Sequence, residues 1–136
     1  MAAFQKFNVF VQDVGRKVHN LNADVLKVML TNTAPVATNT VLANLTDLAT
    51  AGGYTAGGTA SAGTAYSQTA GTATLSGGNV VITATGAVGP FRYAAVYNST
   101  AAGGPLIGWY DYGSSISLAT GDTFTVDLSA TILTLA

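Results

Sequence analysis

"FRYAAVYNSTAAGGPLIGWYDYG", residues 91–113, reads as two β-strands around a loop, and the rest of the chain can be ordered about it. Aromatic and β-branched residues crowd both arms, while "STAAGG" (99–104) is small and glycine-rich, as a hairpin connection should be. If that loop joins the two arms, residues whose numbers sum to 203 face each other. Arg92 then lies opposite Asp111, Tyr93 opposite Tyr110, and Ala94 opposite Trp109. One face would carry Phe91, Tyr93, Tyr97, Leu106, Tyr110 and Tyr112; the other would carry the Arg92–Asp111 ion pair and the indole. Cross-strand pairs of these kinds contribute about 0.2–1 kcal/mol each. Two largely apolar faces are expected of a central strand pair covered on both sides.

Around this hairpin the pattern is β. "ATLS", "NVVITAT", "SISLA", "TFTVDLS" and "ILTLA" are short strand-like runs separated by "GG", "GAVGP", "GSS" and "ATGD". With the hairpin they place strands over residues 73–135, and the spacing predicts a sandwich or barrel of antiparallel sheets. "VLKVMLT" (25–31) is a further strand. Residues 49–74 are almost entirely Ala, Gly, Thr and Ser, and predict loops with an edge strand. Phe7, Phe10, Val11, Val14 and Val18 follow helical spacing, so residues 5–18 are expected to form an amphipathic helix. Val41, Leu42, Leu45 and Leu48 suit a short second helix. At 136 residues the chain is expected to be one domain with a real core.

Composition narrows the function. Only 8% of residues are charged, where soluble domains run at about 25%. A small, weakly charged surface favours association, so self-assembly is expected. A net charge of −1 gives no electrostatic reason to bind nucleic acid or an anionic membrane. Four of the five cations lie in the first 27 residues. With no cysteine, disulfides, zinc–thiolate sites and thiol nucleophiles are out of reach. No apolar run reaches the roughly 18 residues of a membrane span, and "MAAFQKFNVFVQD" does not have the order of a signal peptide. Synthesis and retention in a cytoplasm are expected.

The chemistry-bearing residues are few. His19 is the only histidine and "VHNLNAD" reads as a helix exit, so neither a metal site nor a Ser-His-Asp triad is expected around it. "AGGYTAGGTASAG" is glycine-rich but has no Gly-Lys-Thr ending, and reads as a surface segment rather than a phosphate loop. Asn44 and Asn98 head glycosylation triplets of a kind that recurs by chance in a Thr-rich chain. Tyr93, Trp109, Tyr110 and Tyr112 form an aromatic cluster that suits core packing better than a sugar- or base-stacking platform. No catalytic, metal-binding or cofactor-binding residues are expected, and the protein is not expected to be an enzyme.

Taken together, "KFNVFVQDVGRKVHNL", "LTNTAPVATNTVLA", "GGYTAGGT", "GPFRYAAVYN" and "PLIGWYDYGSSISLATGDTFTVDLSATILTLA" resemble a family of small virion proteins of tailed bacteriophages. Over nearly the whole chain the likeness is to capsid cement, or decoration, proteins of the Bordetella phage type. The resemblance implies a jellyroll-like β-sandwich, placed on the capsid exterior, that bridges neighbouring copies of the major capsid protein. It brings no catalytic residues. Because capsid exteriors are often acidic, Lys6, Arg16 and Lys17 are the candidate shell contacts. The rival expectations are a carbohydrate-binding host-recognition module and a tail or neck subunit.

Overall fold

A computed structural model describes residues 3–128 and 131–135. The protein is mainly β, with antiparallel sheets. Chain order is β1 (Ala3–Lys6), α1 (Asn8–Gly15), β2 (Leu26–Thr31), β3 (Thr59–Ala60), β4 (Ala65–Thr69) and β5 (Thr72–Ser76). Then follow β6 (Val80–Thr83), β7 (Val88–Asn98), β8 (Leu106–Leu118), β9 (Thr123–Val126) and β10 (Leu133–Leu135). Of the strands expected near the end of the chain, Ser129 and Ala136 lie outside the described residues.

The hairpin β7–β8 lies at the centre of a five-stranded sheet ordered β1-β8-β7-β2-β3. Each face of that sheet has its own apolar cluster. On one side Leu26, Val28, Leu30, Ala94, Val96 and Ile107 meet Leu75, Val80, Ile82, Val126 and Leu133 from two smaller sheets, β10-β5-β4 and β6-β9. On the other, Met29, Tyr93, Ala95, Tyr97, Leu106 and Trp109 are covered by Phe7, Val9, Ala37, Leu42 and Leu45. The second cover is therefore a loop and a helix start rather than a sheet. Leu42 belongs to a single 3₁₀ turn, Leu42–Asn44, where a second helix was expected.

The expected register needs a correction. Tyr97 pairs with Leu106 as the sum of 203 requires, but Val96 pairs with Gly108, so Ile107 is an extra residue on β8. That bulge moves the pairs from Val96 to Tyr93 by one, and further shifts displace Phe91 and Val88 by more. Asp111 lies opposite Tyr93, Tyr110 opposite Ala94, and Trp109 opposite Ala95 rather than Ala94. Further irregularities between Phe91 and Tyr93 separate the expected aromatic face: Phe91 and Tyr110 join the first cluster, while Tyr93 and Tyr97 join the second. A one-residue slip exchanges faces because side chains alternate along a strand.

The helix expected over 5–18 is also corrected. Residues 3–6 are strand, because they pair with the edge of β8 that would otherwise be open. Phe4 meets Tyr110 edge-on at 5.0 Å and Phe7 leans on Trp109 at 4.6 Å; such aromatic pairs contribute about 0.5–1.5 kcal/mol each. The helix begins only at Asn8 and ends at Gly15. It closes with paired bonds, Val18 N–H to Asp13 O and Lys17 N–H to Val14 O, and Lys17 takes the left-handed position at φ 66°. Its burial departs from the expected stripe: Phe10 and Val14 reach the first cluster, Asp13 is buried, and Val11 is 50% exposed.

Candidate functional site

The Arg92 side chain reaches Asp111 diagonally, although the two are not opposite each other. Its Nε donates to Oδ1 at 2.8 Å and its Nη2 to Oδ2 at 3.2 Å. Asp111 Oδ1 also accepts the Gly113 N–H at 2.8 Å. These donors hold the Asp111 carboxyl below the usual carboxylate range, the guanidinium contributing most. With side chains 39% and 30% exposed, the pair is not an ion pair under cover, and solvent screens it. The carboxylate fastens the bulged middle of β8 to β7.

The expected aromatic cluster is interior but divided: Tyr93 and Trp109 lie on one face of the sheet, Tyr110 and Tyr112 on the other, because the bulge at Ile107 shifts the register. Trp109 and Tyr110 are each 6% exposed, and Tyr93 is buried on the Trp109 face with the Arg92 guanidinium over its ring at 5.3 Å. Tyr112 packs edge-on against Phe124 at 5.1 Å. These rings present no open stacking platform. Burial raises the Tyr110 phenol to about 12, and raises those of Tyr54, Tyr97 and Tyr112 as well. A phenol raised above its unfolded value near 10 contributes stability that is intact below pH 10 and lost as pH climbs through the folded value. Titration with base is therefore expected to show cooperative unfolding above about pH 10, with late tyrosinate absorbance appearing in the same step as loss of the β circular-dichroism signal.

Lys6, Arg16 and Lys17 are all exposed, Lys6 just before α1 and the other two just after it. A longer uncharged stretch of chain lies elsewhere. Between Asp47 and Arg92 no residue is charged, and much of that stretch is exposed. It includes β4, which ends the sheet β10-β5-β4 and buries none of its five residues fully.

Two polar constellations were not apparent in the sequence. In the first, Asp47 Oδ1 accepts the Tyr54 hydroxyl and Oδ2 accepts the Gly57 N–H. The Tyr54 oxygen in turn accepts the buried Leu30 N–H at 3.0 Å, and the Tyr97 hydroxyl donates to Gly57 O. This clamp holds the glycine-rich segment against β2. Its one visible signal was a lone aspartate ahead of an uncharged stretch, the same kind of signal that Asp111 provides.

In the second, His19, Asp24 and Asn98 meet at the end of β7. Asn98 Nδ2 lies 3.0 Å from His19 Nδ1 and donates to Asp24 Oδ2 at 2.6 Å. Lys17, His19, Asn20, Asp24, Thr100 and Ala101 line an open cavity of about 400 Å³ beside it. Asn98 is fully buried with both ends of its amide engaged, so its triplet offers no acceptor for a glycan. Asn44 uses its Oδ1 to cap the 3₁₀ turn, accepting from Thr40 and Val41 N–H. Among the described residues, no three His, Cys, Asp or Glu side chains converge as metal ligands do. No helix among them is long and apolar enough to cross a membrane.

No family model matches the chain, and neither a curated protein nor a solved structure does.

Proposed function

We propose that this is a structural protein of a virus particle, working by assembly rather than by catalysis. More particularly, it is a capsid cement protein of a tailed bacteriophage, sitting as an oligomer on the shell exterior and bridging neighbouring copies of the major capsid protein. Besides the whole-length resemblance, one observation carries this reading: the stretch between Asp47 and Arg92 contributes no charge to the surface, and the exposed edge of β4 lies in it. Natural sheet edges are commonly guarded by lysine, proline or a covering element, and "AYSQT" has no such residue. A surface without charge can be covered by protein with no ion to desolvate, as in interface cores. Within this reading, the five-stranded sheet and the two small sheets are the layers of a jellyroll-like sandwich. What supports that is the single cluster to which all three sheets contribute.

Apolar burial contributes about 25 cal/mol per Å² before association costs, and repetition over a lattice multiplies a modest contact. The test uses particles with and without the protein. Decorated particles are expected to hold their genome to a higher temperature, and the free protein to bind assembled shells but not single capsid subunits. Reversing charge at Lys6, Arg16 and Lys17 together is expected to weaken shell binding, most at low salt where screening is least. Equal heat resistance, or a copy number matching a tail ring, would overturn the cement reading.

A further inference from the structure

The hydrogen bonds around Asn98 determine the tautomer of His19. Asn98 Oδ1 accepts the N–H groups of Thr100 and Ala101 at 2.9 and 3.1 Å. The other end of the amide, an NH₂ that can only donate, therefore faces His19 Nδ1 and Asp24 Oδ2. Nδ1 must accept, and the single ring proton is on Nε2.

We propose that His19 and Asn98 form a proton-operated latch on the hairpin loop 99–104, closed while His19 Nδ1 is bare and released when it takes a proton. A proton there sets two donors face to face. Turning the Asn98 amide over gives no relief. Its oxygen would then meet the Asp24 carboxylate, and its NH₂ would meet the Thr100 and Ala101 N–H groups. The imidazolium and the closed loop are incompatible, and acid draws the loop toward an open form.

The groups facing His19 decide where this happens. Burial, under the Phe10 ring at 5.4 Å, opposes the charge; Asp13 from α1 and Asp24 from the following turn favour it. Lys17 lines the same cavity, and β7 contributes only the neutral Asn98. Burial dominates, and His19 is pushed below 6.5. The sign follows: the closed loop has its full stability above about pH 6.5 and loses it as pH falls from there toward the folded value. The loop also ties other segments together. Ser99 N–H donates to Val25 O, Val25 N–H to Thr100 Oγ1, and Leu42 N–H to Gly104 O. Release would free the approach to β2 and the 3₁₀ turn together and reshape the mouth of the cavity.

Nitrogen NMR of the full chain tests this. At neutral pH the His19 ring is expected to be protonated on Nε2 alone. On acidification, hydrogen-exchange protection of the Thr100 and Ala101 amides, corrected for intrinsic rate, should fall about tenfold per pH unit, the slope of one linked proton. The fall should begin near pH 6.5 and level off where the His19 ring itself titrates. In His19→Gln, whose amide oxygen accepts but does not titrate, protection is expected to stay level over that range. Three results would overturn the latch: a proton on Nδ1 at neutral pH, loop protection indifferent to the His19 titration, or the same acid response in His19→Gln. Should that variant fail to fold, the wild-type tautomer and the levelling of protection at the His19 titration still decide.

Discussion

Gly58→Ala is expected to lower the melting temperature by roughly 10 °C or more, the largest effect of any single methyl group added to this protein. Gly58 has φ +86°, and a Cβ there would lie 2.0 Å from the Val28 carbonyl oxygen and 2.8 Å from Met29 Cα. Both obstacles are backbone of β2, whose Val28 and Met29 are buried on opposite faces of the sheet, so β2 cannot yield. The segment carrying Gly58 must move instead. It would take β3 off the sheet edge and pull Gly57 away from Asp47 and Tyr97. Left-handed strain of about 1–3 kcal/mol adds to this overlap. Gly57→Ala is the control. Its φ is similarly positive at +96°, but the nearest atom to its Cβ would be the Tyr97 hydroxyl at 3.7 Å. Thermal melts of the two variants side by side separate strain from overlap. Equal losses would mean that the close approach to β2 has no energetic weight.

Tyr54→Phe is expected to cost about 2–4 kcal/mol, more than the loss of one ordinary hydrogen bond, because it strands groups at both ends. The Leu30 N–H is fully buried beyond the end of β3, where no strand pairs with it, and the Tyr54 oxygen is its acceptor. Asp47 loses a donor in the same step. Denaturant unfolding measures the total, and exchange of the Leu30 amide should accelerate by more than global destabilisation explains. Asp47→Asn probes the other end. Combined with Tyr54→Phe in a double-mutant cycle, it is expected to be clearly less than additive, as for members of one network. Additive losses, or a Leu30 amide as slow as in the parent, would mean that the clamp does not act as a unit.

The strands β5 to β10 were legible because their apolar runs are bounded by glycine-rich turns, and short β elements need little else. The β4–β5 hairpin was harder to see. Its two-residue turn is Ala70-Gly71, with φ of 50° and 84°, where asparagine would ordinarily mark the first position. "GSS" looked like a turn yet lies within β8, because the Asp111 carboxylate caps Gly113 and the strand bends without ending.

The amino-acid sequence by itself determined the β class, the apolar character of both sides of the hairpin though not which residues share a side, and the partnership of Arg92 with Asp111. Each of these is written in local alternation, or in the scarcity of charge that leaves each ion few partners. Tertiary structure alone decided the register, the start of α1, and the gathering of His19, Asp24 and Asn98. One inserted residue, Ile107, exchanges sheet faces without altering any local pattern. Residues 5 and 6 were expected at the head of the helix but, with residues 3 and 4, bond to a strand a hundred residues away. His19 and Asn98 are brought together only when α1 and β7 end at the same place on the folded surface. Such contacts depend on distances across the fold, which no short window of sequence contains.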